Sequence, residues 1–325
     1  ALVDFLQGRY KEAIERLEHP DTAGSMEAQV LLAQCTYFGL GDPRLREDME
    51  FLAKRAQRPD ATRLAALMNL THGDLNKGEQ FFTDLIRMER DYPGNWLNRG
   101  VCRRKLGKPD LAIEDYDQVL RLSPNHVGAL TNRGHAKGDL GDYAGAEEDY
   151  TRALEIRPSA VLYSDRARAR QRQGKNEGAI EDATKAIDGN PQDGWALLNR
   201  GMAYMSKRDV DRAHLDQAIA DFTRCIELND RFAEAYYLRG SARLYLKHTS
   251  DALADLTQTL KINPRIGQLI SRLEVCLDQI DEKPDIAANA FVRSVLNELQ
   301  EALKGTPSTP ATDKLLARIR QLLRG

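Results

Sequence analysis

The chain has 325 residues, with 47 Lys and Arg against 49 Asp and Glu, for a formal net charge of -2. That balance argues against a general nucleic-acid binder, which needs a clear cationic excess. An apolar content of 42% is enough to build a core, and no run approaches the roughly 18 consecutive apolar residues of a membrane span, so neither bulk disorder nor a membrane helix is expected.

Residues 1–19 read as a partial helical hairpin carrying Gly8, Tyr10, Ala13 and Leu17. The chain opens Ala1-Leu2-Val3, without Met and without a basic leader, which reads as an excised fragment or a processed product, with an upstream segment expected in the parent chain. Residues 20–92 hold two divergent copies of the unit that follows, with Gly41 and Gly73 at the turns. Residues 93–266 hold five good copies. The turn column Gly8, Gly41, Gly73, Gly107, Gly141, Gly174, Arg208, Lys247 steps by 33, 32, 34, 34, 33, 34 and 39 residues. Columns at Ala112, Ala146, Ala179, Ala218, Ala252 and at Gly100, Gly134, Ala167, Gly201, Gly240 keep the same rhythm, including one five-residue insertion near Arg208–Ala218. Independent columns that share one period, and share its one irregularity, mark a true internal repeat.

Each copy reads as two helices. In residues 93–126, Trp96, Gly100 and Arg103 share one face, and Gly107-Lys108-Pro109-Asp110 breaks it. Ala112, Ile113, Tyr116, Val119 and Leu120 then recur at helical spacing before Pro124. Small residues at Gly100 and Ala112 let the helices approach closely. No segment alternates as a strand does, so the expected class is all-α. Residues 267–304 keep helical periodicity but lose the repeat columns, as capping helices do. In residues 305–325, Thr306-Pro307-Ser308-Thr309-Pro310 is a short stiff linker. The last helix carries the apolar stripe Leu315, Leu316, Ile319, Leu322, Leu323. That helix reads as a solvating cap or as a basic amphipathic helix for a membrane or a partner.

Arg99 lies eight residues before Gly107, and Asp115 eight after it. Positions equidistant from the turn of an antiparallel hairpin face each other. The same pair recurs as Arg133–Asp149, Arg166–Asp182, Arg239–Asp255 and, allowing for the insertion, Arg200–Asp221. These read as part-buried ion pairs inside each hairpin, with a basic ligand-binding ladder as the alternative.

The pattern Trp96, Arg99-Gly100, Arg103, Ala112, Tyr116, Pro124, repeated as Leu130, Arg133-Gly134, Lys137, Ala146, Tyr150, Pro158, resembles the tetratricopeptide repeat family. The chain departs from it by placing basic residues where the family usually has Leu and Tyr on the first helix. The resemblance implies a right-handed superhelical solenoid of antiparallel helix pairs, whose first helices line a concave groove for extended peptides.

Nothing in the sequence points to catalysis. There is no phosphate loop, no H-E-x-x-H and no G-x-S-x-G elbow, and the six His are scattered over separate repeats. Four lone Cys (35, 102, 225, 276), without a CxxC pair, read as small buried residues in a reducing, cytoplasmic setting. Neither a metal nor a cofactor is expected.

What remains is a surface. By helical spacing beside the core face, the groove the resemblance implies carries Asn98, Arg104 and Lys105, then Asn132 and His135. Asp165, Arg168 and Arg172 follow, then Asn199 and Met202, and finally Tyr237. Asn offers both donor and acceptor, so a ladder of Asn98, Asn132 and Asn199 can clamp a peptide backbone whatever its sequence; the alternative is a tolerated polar helix residue. Arg104, Lys105, His135, Arg168 and Arg172 make the middle basic, and Met202 and Tyr237 begin an apolar stretch, so the expected ligand carries acidic and bulky apolar residues. The family's chaperone-binding variants grip a C-terminal carboxylate with Lys and Asn. The matching places here look like Leu97 and Val101, which weighs against that ligand. The expected function is a non-enzymatic protein-interaction scaffold. The alternative is a sensor or regulatory arm of a larger enzyme or effector, with its chemistry outside these residues. A self-assembling array is a third reading.

Overall fold

The computed structural model describes residues 59–72, 74–263, 269–282, 289–306 and 308–324. The partial hairpin expected over 1–19, the first divergent unit and Cys35 lie outside them. Every regular element among the described residues is an α-helix. The chain divides into two compact units, 1–157 and 158–325.

Among the described residues of the first unit, six helices form three antiparallel pairs. They are α1 (Pro59–His72) with α2 (Leu75–Met88), α3 (Pro93–Lys105) with α4 (Pro109–Leu122), and α5 (Val127–Asp139) with α6 (Tyr143–Ile156). The second unit pairs α7 (Ala160–Arg172) with α8 (Asn176–Gly189), α9 (Gly194–Met205) with α10 (Arg212–Leu228), and α11 (Ala233–Tyr245) with α12 (Thr249–Ile262). Within each unit every pair stacks on the next, giving an all-α solenoid array. One hairpin cannot bury its own apolar face, and stacking makes the core continuous.

The turn column earns its glycines. Gly107, Gly141 and Gly174 have φ of 74°, 82° and 73°, the left-handed region where a side chain is penalised. Lys247 takes the same place at φ 60°. The inserted residues of the fourth copy remove this turn. Six residues separate α9 from α10 where three suffice elsewhere, and α10 has 17 residues where its counterparts have 14. The Asp211 carboxylate accepts from the His214 backbone N–H at 2.9 Å, and the Asp211 N–H donates to His214 Nδ1 at 3.3 Å, so a capping box starts the longer helix. The long turn is anchored on the preceding pair where Asn176 donates to the Ser206 carbonyl at 2.6 Å.

Close approach of paired helices follows from a small residue facing a ring. A Cβ built on Gly100 would lie 2.5 Å from Tyr116, one on Gly134 2.7 Å from Tyr150, and one on Gly201 2.6 Å from Phe222. In the third copy the ring is replaced by Ala183, and the glycine by Ala167, both fully buried.

All five expected ion pairs form. Arg99, Arg133, Arg166, Arg200 and Arg239 each hold both carboxylate oxygens of Asp115, Asp149, Asp182, Asp221 and Asp255, at 2.5–3.0 Å. Arg99, Arg200 and Arg239 also donate to Thr83, Thr184 and Thr223 of the preceding pair, and Arg133 to Asp117. The guanidinium therefore ties neighbouring repeats as well as its own hairpin. A second cation, one turn on, completes four of the sites: Arg103, Lys137, Arg170 and Arg243 lie 2.7–3.1 Å from the same aspartates. These are the basic residues that displace the family's usual Tyr. In the fourth copy that residue is Tyr204, and Asp221 keeps Arg200 alone. Burial pushes the Asp115 and Asp221 carboxyls up against the pull of their arginines.

At the C-terminal end, α13 (Leu269–Asp281) and α14 (Ala290–Lys304) both pack on α12, and α15 (Pro310–Arg324) packs on both. Leu315 and Ile319 of α15 are buried in one cluster with Leu256, Leu273, Cys276 and Leu296. Arg318 pairs with Asp278 at 2.6 Å and with Asp281. The stripe on the last helix is thus turned onto the array, and α15 extends the cap expected over 267–304.

Cys102, Cys225 and Cys276 are free and buried, and burial pushes each thiol up to about 12. An unfolded thiol ionises near 8.5. Above that pH the unfolded chain binds fewer protons than the native one, so stability is full below about 8.5 and falls toward 12, by at most about 1.4 kcal/mol per thiol per pH unit. Urea midpoints measured from pH 7 to 11 will fall more steeply for the wild type than for a Cys102→Ala, Cys225→Ala, Cys276→Ala variant. Equal slopes would refute the assignment.

Candidate peptide-binding face

In the first unit the anticipated residues lie on α3 and α5. Arg104 donates to Asp139 of α5 at 3.1 Å. Asn132 donates its amide to the Gly128 carbonyl at 2.8 Å, one turn back in its own helix. One N–H of that amide is therefore engaged within its own helix. The His135 ring sits 5.7 Å from that of Tyr150. Lys105 is exposed and Asn98 half-buried. Leu97 and Val101 pack against Ala112, Tyr116 and Ala136, which removes them from a carboxylate-clamp role.

The second unit gathers its residues more tightly. Val161, Ser164, Asp165 and Arg168 of α7 face Asp193, Trp195 and Asn199, at and within the start of α9, across a cavity of about 180 Å³. Three of the anticipated residues, Asp165, Arg168 and Asn199, meet here. They fall together because first-helix positions spaced by three and four share a face, and stacking sets α9 beside α7. Arg168 and Asp165 approach to 3.5 Å, a long contact on a half-exposed guanidinium. Asp193 caps α9, accepting from the N–H groups of Trp195 and Ala196 at 3.0 Å each.

Two polar side chains stand out here. Asn199 is 5% exposed and Ser164 is 7% exposed. Among the described residues neither side chain has a hydrogen-bond partner, and both line the cavity. Their polar atoms reach solvent through the cavity mouth and are open to hydrogen bonding from that side. Trp195 and Val161, which sequence reasoning passed over, are 58% and 65% exposed. Trp195 meets Phe232 edge-on at 5.2 Å. The signal that could have found them is their shared column, six residues before Ala167 and Gly201, where α3 and α5 carry Gly94 and Gly128.

The remaining anticipated residues stand apart from this cavity. Arg172 is exposed near the end of α7. Met202 packs half-buried against the cluster of Leu198 and Phe222. Tyr237 packs against the C-terminal core and holds Arg272 together with Tyr245.

Tetratricopeptide-repeat models match residues 96–126, 127–159 and 164–214. The chain is a tetratricopeptide-repeat protein. Among solved structures, a tetratricopeptide repeat protein from Parabacteroides merdae aligns over 83% of this chain and 99% of its own, at 18% identity and a TM-score of 0.55. The C-terminal part of a repeat-containing protein from Cytophaga hutchinsonii covers 78% and 99%, at 17% identity and a TM-score of 0.57. These likenesses show the fold. Among curated proteins, Hsp70-Hsp90 organizing protein 2 of Arabidopsis thaliana is 22% identical over 168 residues, 45% of this chain and 28% of that protein. Human serine/threonine-protein phosphatase 5 is 28% identical over 126 residues, 38% of this chain and 24% of that protein. The chain thus spans about a quarter of each of these two relatives. Tetratricopeptide-repeat arrays generally mediate protein–protein interactions. Among the described residues no cluster of His, Cys, Asp and Glu could hold a metal, and no helix is long and apolar enough to cross a membrane.

Proposed function

We propose that this tetratricopeptide-repeat array is a non-enzymatic interaction module that binds an extended segment of a protein partner along its first-helix face. The observation that carries this reading is the pair Asn199 and Ser164. Both are buried, both lack partners within the described residues, and both open on a cavity beside an exposed Trp. An amide and a hydroxyl offer the donors and acceptors that a peptide main chain needs, whatever its side chains. An exposed aromatic supplies the anchor that dominates such interfaces. Met202 and Tyr237 extend the face of the second unit with apolar surface, and the exposed Arg172 favours an acidic residue elsewhere on the segment. Leu97 and Val101 give no support to carrying a chaperone-tail ligand over from the Hsp70-Hsp90 organizing proteins.

A second reading, a regulatory arm of a larger enzyme, draws on the likeness to a protein named as a phosphatase, of which the match covers 24%. It is compatible with the first, since such an arm also binds a segment.

Selection from a random-peptide display library tests the proposal. Peptides enriched on the wild type should bind an Asn199→Leu or Trp195→Ala variant at least roughly tenfold more weakly, the cost of about 1.4 kcal/mol expected for losing a central contact. Circular dichroism should show both variants folded. Equal binding to wild type and folded variants would remove this face as the site.

A further inference from the structure

We infer that Arg272, on the capping helix α13, binds the carboxylate of an acidic side chain presented by the partner segment. This rests on the peptide-binding reading above and names a residue that the segment carries beyond the α7–α9 cavity.

The charge of Arg272 is met differently from the others. Each repeat arginine holds an aspartate of its own hairpin, and Arg318 of the last helix pairs with Asp278 and Asp281. Among the described residues no carboxylate pairs with Arg272. It is half-buried and donates instead to the hydroxyls of Tyr237 and Tyr245 on α11. Burial disfavours its charge, and the two hydroxyls more than offset that, so neutral groups hold the cation in place. The carboxylates further along α13 are engaged elsewhere, Glu274 facing Lys314 at 3.7 Å and Asp278 holding Arg318.

The groups around this guanidinium are donors. Tyr245 is 61% exposed, with the Arg272 guanidinium 5.7 Å from its ring centre. A phenol that accepts from a guanidinium keeps its own O–H to donate. Ser241 lies four residues from each tyrosine, so helical spacing sets it between them on one face of α11. It is 2% exposed, and its hydroxyl has no hydrogen-bond partner. A guanidinium with two hydroxyl donors beside it, and no carboxylate to neutralise it, suits an anion. The planar fork of arginine matches a carboxylate in two parallel bonds, each about twice as strong as one between neutral groups. One cation balances one carboxylate, whereas a phosphate group, at a charge of about -1.5 to -2, would stay partly unmet.

Position gives the source of that carboxylate. Tyr237 belongs to the first-helix face of the second unit, α11 packs beside α9, and α13 beside α11. A segment seated on Asn199 and continuing along the face therefore comes to Arg272. This end of the face, apolar by sequence, receives its charge from the cap.

Peptides selected from a random-peptide display library on the whole chain are synthesised with acetylated and amidated ends, so that every carboxylate belongs to a side chain. They should share an Asp or Glu whose change to the matching amide weakens binding at least roughly tenfold. On an Arg272→Gln variant the acidic and amide peptides should bind equally. Arg272→Lys, which keeps the charge and loses the fork, should fall between the two, and Tyr245→Phe, which keeps the ring, should shrink the preference severalfold. Asn199→Leu should weaken both peptides alike. If the selected peptides lack an acidic residue, or the preference survives in Arg272→Gln, the Arg272 assignment fails and the peptide-binding reading survives. If an amide peptide with a free C-terminus regains the affinity, a chain terminus occupies the site and the side-chain assignment fails. If Asn199→Leu binds both peptides as the wild type does while Arg272→Gln loses the preference, the cavity reading fails and the Arg272 site stands. If no peptide is selected, both fail.

Discussion

Replacing Asp149 by Asn will destabilise the first unit by about 3–5 kcal/mol, the cost of breaking a buried ion pair from one side. Asp149 is fully buried and holds two cations, Arg133 through both oxygens at 2.5 and 2.9 Å and Lys137 at 2.9 Å. The Asp149 carboxylate holds the Arg133 guanidinium above its ordinary pKa range. An amide of the same shape leaves both cations in place, one of its two acceptors gone and no charge to meet them. Arg133 keeps Asp117 at 2.5 Å, which bounds the loss. The matched change Asp221→Asn uncovers only Arg200, because Tyr204 stands where the second cation would be, and it will cost less. Hydrogen exchange of α5 and α6 for the first variant, and of α9 and α10 for the second, reads the two losses locally, as suits an array whose repeats are coupled mainly to neighbours. Equal losses below about 1 kcal/mol would refute the triad as a structural device. Replacing Arg133, Lys137 and Asp149 together by apolar residues should recover most of the loss, since a buried ion pair is often worth little against well-packed apolar groups.

The second large effect is steric. Gly134→Ala places a methyl 2.7 Å from the buried ring of Tyr150, closer than real Cβ contacts come. Ala is intrinsically better than Gly in a helix by about 1 kcal/mol, yet the forced separation of α5 from α6 should outweigh that and leave a net loss of about 1–3 kcal/mol. In a Tyr150→Ala background the same change meets no ring and should be stabilising by about 1 kcal/mol. The double-mutant cycle should therefore return a coupling of about 2 kcal/mol or more. The third copy already carries the outcome, with Ala167 opposite Ala183. Chemical denaturation of the four proteins measures the cycle. Additive costs would mean that the glycine serves the helix in some way other than admitting the ring.

Both devices were open to reasoning from the sequence, for the same reason. Arg99 and Asp115 stand at equal distances from Gly107, and a tight antiparallel hairpin leaves equidistant positions no choice but to face each other. Gly134 and Tyr150, seven residues before and nine after Gly141, each stand one place on from the equidistant pair Arg133 and Asp149. What depends on one hairpin and its turn is written in spacing. The second cation was half visible: Arg103 and Lys137 were seen to depart from the family pattern, but their convergence on Asp115 and Asp149 needed side-chain reach that spacing does not give.

The binding face was legible only as a list of positions. Helical spacing placed Asn98, Asn132, Asp165, Arg168 and Asn199 beside the core face of their own first helices, and the resemblance alone made that side a groove. The tertiary structure decided which of them are available. Arg104 is met by Asp139, which is 35 residues away. The Asn132 amide turns back on its own helix, while Asn199 stays buried and without a partner among the described residues beside Trp195. The physical reason is that helical period is a property of one segment, whereas the unmet capacity of a polar group depends on its rotamer and on what the neighbouring helix brings within about 3 Å of it.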